Sequence, residues 1–146
     1  MKAIKIIVGL SLILMASNTF ARDTKYMYSI EDALASANFQ DRLDPNIPLF
    51  FGEQTHGEVE KRLGSYPTNK KTNAFNKTDE EACEWVLLSA LLTLQERAVK
   101  EGGNAVINIA SYYKKNTVVS DTEYECHAGA FVAGVALMGE VVKLAD

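Results

Sequence analysis

Residue types that often carry catalysis are scarce in this 146-residue chain, which has two His, two Cys and one Trp. None of its nine glycines precedes a lysine, so a Walker-type phosphate loop is excluded. CxxC, HExxH, GxSxG and GxGxxG are also missing, which removes the easily recognised enzyme classes. No catalytic residue and no cofactor is therefore assigned, and the expected function is non-catalytic. What remains is an ordinary globular composition, 47% apolar and 23% charged, of a length suited to one compact domain.

The first segment reads as an address. Lys2 and Lys5 precede an apolar run from Ile6 to Ala16, followed by Ser17, Asn18 and Thr19-Phe20-Ala21. That run is shorter than the roughly 20 residues needed to cross a bilayer core. With small side chains at positions −3 and −1 before Arg22, it predicts a secretory leader cleaved after Ala21 and a periplasmic destination. The alternative is a retained N-terminal anchor helix. No cysteine follows the cleavage point, so lipid attachment is not expected. Loss of two lysines takes the formal charge from −4 to −6, a poor balance for binding nucleic acid. The expected organisation is a leader over 1–21, an N-terminal extension over 22–46 and a single domain over 47–146, with no membrane span in the mature chain.

Export alters the reading of Cys83 and Cys126, because an even count in an oxidising compartment favours a disulfide. Two buried thiols, or half of a metal site, are the alternatives.

Along the mature chain, Ser29-Ile30-Glu31-Asp32 predicts a short capped helix ending near Ala37. Ile47 to Phe51 reads as a strand with Pro48 at its start. Gly57 to Gly64 suggests two helical turns, and the segment from Ser65 to Lys77 a surface loop. The strongest element starts at Thr78, where Thr78-Asp79-Glu80-Glu81 forms a capping box, and it stops at Gly102-Gly103. Helical periodicity places Cys83, Leu87, Ala90, Leu91, Leu94 and Ala98 on one stripe. Trp85, Leu88, Leu92 and Val99 form a second stripe, which needs cover from the N-terminal segment or from another subunit. These four residues are the candidate interface.

Past the glycines the period changes to two. Ala105, Ile107 and Ile109 alternate on one face of a strand, and Thr117 to Cys126 is expected to return as a hairpin. Gly129 to Met138 reads as a central strand whose small residues Ala130, Gly134 and Ala136 admit close approach of the long helix. The order predicts an α+β fold, one long helix packed on a small, mostly antiparallel sheet.

Candidate chemistry is thin. His127, with Asp121, Glu123 and Glu125 nearby, outlines a metal site, although strand alternation sends it away from Cys126. His56 lies among Glu53, Glu58 and Glu60, a pattern fit for a general base or a second metal ligand. Lys70-Lys71 and Lys114-Lys115, with Tyr112-Tyr113, suggest a basic-aromatic patch.

The run from Leu94 to Ile109, centred on Gly102-Gly103-Asn104-Ala105-Val106, resembles the helix–Gly–Asn-Ala-Val–strand unit of the YbjQ-like family and the RcsF signalling-domain group. Gly129 to Leu137 is similar to the Gly-rich terminal strand of that group, and residues 50–144 resemble small exported bacterial proteins. Many of those carry the label excinuclease ATPase subunit, which the missing phosphate loop and the leader contradict. The resemblance implies a long helix on a small sheet, a ring-like homo-oligomer and a heavy-metal-binding alternative; the function expected is a periplasmic binding or assembly domain, with an envelope protein as its expected partner. Unlike RcsF, this chain has no lipidation cysteine and has two cysteines rather than four, so a stress-sensing role does not transfer. No catalytic residues come with the resemblance.

Overall fold

A computed structural model describes residues 22–146; the expected leader and its expected cleavage after Ala21 lie outside the described residues. The elements in chain order are β1 (Thr24–Ser29), α1 (Ile30–Ala35), β2 (Leu49–Phe51), β3 (Val59–Asn73), α2 (Asp79–Lys100), β4 (Ala105–Ser111), β5 (Glu123–Ala128) and β6 (Val132–Leu144), with a 3-10 turn at Tyr113–Lys115 before β5. This is an α+β fold: one long helix lies on an open, mostly antiparallel sheet of six strands. The strands run β1-β5-β6-β4-β2, and β3 pairs with β6. The β2–β4 pair alone is parallel.

Local signals set the helices. Ser29 caps α1 by accepting from Asp32 N at 3.1 Å, and Thr78 caps α2 by accepting from Glu81 N at 3.1 Å. The reciprocal bond from Glu81 does not form. At the other end of α2, Gly103 N donates to Ala98 O and Gly102 N to Val99 O. These two bonds make a Schellman closure, and Gly102 supplies the left-handed residue it needs, at φ 80°.

The first stripe of α2 enters the core as expected, with Cys83, Leu87, Ala90, Leu91, Leu94 and Ala98 fully buried. Cys83 is bonded to Cys126 on β5. The second stripe is covered largely by the chain itself. Leu88 is buried, Trp85 lies 4.7 Å below the Arg42 guanidinium, and Leu92 is half-buried against the core. The covering segment is fastened by buried Gln95, whose side-chain amide bonds Asp44 N, Asp44 O and Ile47 O at 2.8–3.0 Å. Val99 stays exposed.

Several expectations about strands are corrected. Residues 57–64 are not helical turns, and most of 65–77 is not a loop, because β3 runs through both and pairs with β6 from Val59 to Asn73. Its register shifts between Val59 and Lys61 and between Arg62 and Ser65, the second around Gly64, and Pro67, Lys61, Arg62 and Lys71 blunt this edge strand against further pairing. The segment 22–46 contributes β1, which pairs with β5 and had no signal in the sequence. Thr117 to Cys126 forms no hairpin; a single bridge, Ser111 to Val118, precedes a crossing to β1.

Within β4 the register shifts between Ile107 and Ala110, and Asn108 sits at φ 52°. This bulge turns Ile109 to the face of Val106, in the main core, while Ala105 and Ile107 join a smaller cluster with Val142 on the other face. The face of β6 that meets α2 is also the reverse of the expected one. Ala133, Val135, Leu137 and Val141 enter the core, and Gly139 lets Leu94 approach closely. Gly134 and Ala136 look the other way.

Candidate functional site

That reversal leaves a small-residue floor on the sheet face away from α2. The pairing registers place Lys71, Gly134, His127 and Lys25 in one row across β3, β6, β5 and β1. A side chain at Gly134 would begin 3.6 Å from Lys70 O and 3.7 Å from Lys71 Cγ, both ordinary van der Waals contacts. Tyr113, Phe131 and Val132 line an open groove of about 390 Å³. Arg22 also lines it, and its carbonyl passes so near Gly129 that a Cβ there would lie 2.6 Å from it.

His127 is held from three directions. Its Nε2 lies 2.8 Å from Glu125 and its Nδ1 lies 3.2 Å from Asp23. The Tyr113 ring stacks on the imidazole with centroids 3.4 Å apart. Both ring nitrogens therefore face carboxylate oxygens, and neither presents a lone pair to the groove. Glu125 is itself buried, accepts an ion pair from Lys25 and has its amide bonded to Ser111 Oγ. Burial, with the nearby charge of Asp23, raises the Tyr113 pKa above the ordinary phenol value.

Arg22 is also matched. Arg22 makes two hydrogen bonds to Asp79 at 2.8 and 3.0 Å, and Tyr26 donates to the same carboxylate at 2.6 Å. These bonds hold the Asp79 carboxyl at about 2, below the usual carboxylate range. Asp79 thereby ties the first turn of α2 to β1.

The metal candidates are not brought together. Asp121 turns away to accept from Glu53 N, in a clasp beside β2, and Glu123 lies exposed at the far end of β5. Cys126 is buried on the opposite face from His127 and is joined to Cys83. His56 is half-buried, bonded through Nδ1 to Gly57 O and set edge-on to Phe50 beside the smaller apolar cluster. No group of three His, Cys, Asp or Glu is placed to hold a metal among the described residues.

Of the expected basic-aromatic patch, Lys71, Tyr113 and Lys114 do meet here, Lys114 lying 5.5 Å above the Tyr113 ring. Lys70 points to the other face. Sequence reasoning missed Phe131 and Phe75, which stack with centroids 5.9 Å apart and are 65% and 56% exposed. Phe131 lay within an apolar run that reads as buried strand, whereas β6 starts one residue later.

No protein-family model matches the chain, and no curated protein or solved structure matches it significantly.

Proposed function

We propose that this chain is a non-catalytic periplasmic binding domain, of the kind its resemblance to the YbjQ-like and RcsF signalling-domain group implies. The observation that carries this reading is the groove over Gly134. It is a concave, mainly apolar surface with a few placed polar groups, the usual make-up of a ligand site. Its one imidazole is occupied on both nitrogens, and no Ser, Thr or Cys lines it. Those features suit holding better than bond-breaking. Delivery across the inner membrane is supported by the leader-like segment and agrees with a Cys83–Cys126 bond. Among the described residues no helix is long and apolar enough to cross a membrane.

Amide chemical-shift mapping during a screen of small organic compounds and short peptides tests the reading. Shifts should cluster on Lys71, His127 and Phe131 to Gly134. Hits confined to the exposed Val99 surface of α2 would move the function to the helix and favour self-association there. Native mass spectrometry with Zn²⁺ and Cu²⁺ tests the metal-binding alternative. Stoichiometric binding lost on His127→Ala would replace the present reading.

A further inference from the structure

We propose that the groove over Gly134 takes an amphipathic monocarboxylate, with its carboxylate on Lys71 and its apolar body against Phe131 and Val132; this rests on the reading of that groove as a binding site. The charge inventory points to the acid group. Arg22 is committed to Asp79, Lys25 to Glu125, and Asp23 and Glu125 to His127. Lys71 alone among the charged residues lining the groove has no ion-pair partner among the described residues, and its stem runs along the glycine floor. A carboxylate reaching it would gain a charge-assisted bond without displacing an existing one.

The body of the ligand follows from the walls. Phe131 and Val132 are 65% and 50% exposed, and Phe75 stacks on Phe131 to extend the apolar surface beside the groove. Such a surface costs free energy in water and gains it when an apolar chain or ring covers it. A single negative charge follows from Asp23, which also lines the groove beside His127 and would repel a second carboxylate. A groove of about 390 Å³ lies near the small end of ligand sites, which favours a medium-chain or aromatic acid.

Calorimetric titration of the disulfide-bonded protein with octanoate, 1-octanol and octanedioate tests the assignment. Octanoate should bind about tenfold more tightly than either of the others, the size of one charge-assisted hydrogen bond. Lys71→Gln should reduce octanoate to the level of octanol. Gly134→Val should abolish binding of both, because its methyl groups fill the floor. That variant should keep its far-ultraviolet dichroism and melting temperature, since its Cβ would make only ordinary van der Waals contacts, at 3.6 and 3.7 Å, and the backbone needs no left-handed conformation. Equal binding of octanol and octanoate, blocked by Gly134→Val, would overturn the acid assignment and leave the groove as the binding site. Octanoate binding unchanged in a folded Gly134→Val protein would overturn the location. Absence of octanoate binding would overturn the proposal, while the groove itself is judged separately by shift mapping.

Discussion

Asp79 joins two parts of the chain through one carboxylate. It is the first residue of α2, where a negative charge also complements the helix dipole, and it receives Arg22 and Tyr26 from the β1 region. Its folded pKa is depressed from 3.8 to about 2, so its contribution is present above the unfolded value and is lost as pH falls through the folded one. Melting temperature should therefore drop between about pH 4 and pH 2. Asp79→Asn should lower it at pH 7 and flatten that part of the profile, with thermal unfolding as the measure; an unchanged acid limb would remove Asp79 as its source. Tyr124 is the opposite case. Its hydroxyl is buried without a hydrogen-bond partner, and burial pushes its pKa upward. Tyr124→Phe removes an unsatisfied polar atom while keeping the ring, so it should be neutral or stabilising by up to about 1 kcal/mol in urea denaturation.

The packing of α2 on β6 shows what an element demands of single positions. Gly139 faces the helix, and a Cβ there would meet Val106 Cγ1 at 2.7 Å and Leu94 Cδ1 at 3.2 Å. Gly139→Ala should cost about 1–3 kcal/mol, the usual size of overpacking, read from the urea midpoint at unchanged m-value. Gly134→Val, five residues earlier on the same strand, should leave stability unaltered. A strand propensity scale would treat the two glycines alike; the difference comes from which face carries the helix. The helix itself was legible, since its cap at Thr78, its apolar stripe and its glycine stop are all local. The long strand β3 was not, because glycine, proline and lysines in succession resemble a loop until β6 supplies the pairing partner.

Across the whole molecule, the Cys83–Cys126 bond ties the helix layer to the sheet at a sequence separation of 43. Closing a loop of that length contributes roughly 3–4 kcal/mol by the entropic model. Reduction, or the Cys83→Ser/Cys126→Ser double variant, should lower stability by about that amount. Non-reducing mass spectrometry of the native protein should find two hydrogens fewer than in the reduced chain. Two alkylatable thiols in the native protein would discard the bond. The candidate site was half legible at this scale: His127, Lys71 and the paired tyrosines stood out as chemistry-bearing residues. Their neighbours did not. Asp23 and Arg22 reach the groove because β1 pairs with β5, a contact between segments about a hundred residues apart that leaves no local trace.

By itself the sequence determined the secondary structure around α2, the α+β class, the cysteine pair and the separation of His127 from Cys126, because capping, helical period and strand alternation act over a few neighbouring residues. Tertiary structure decided the direction in which each strand face points. The bulge at Asn108 reverses half of β4, and the clearance that Leu94 requires puts Gly139 rather than Gly134 under the helix. Long-range pairing sets those outcomes, and they in turn leave Gly134 open as the floor of a groove.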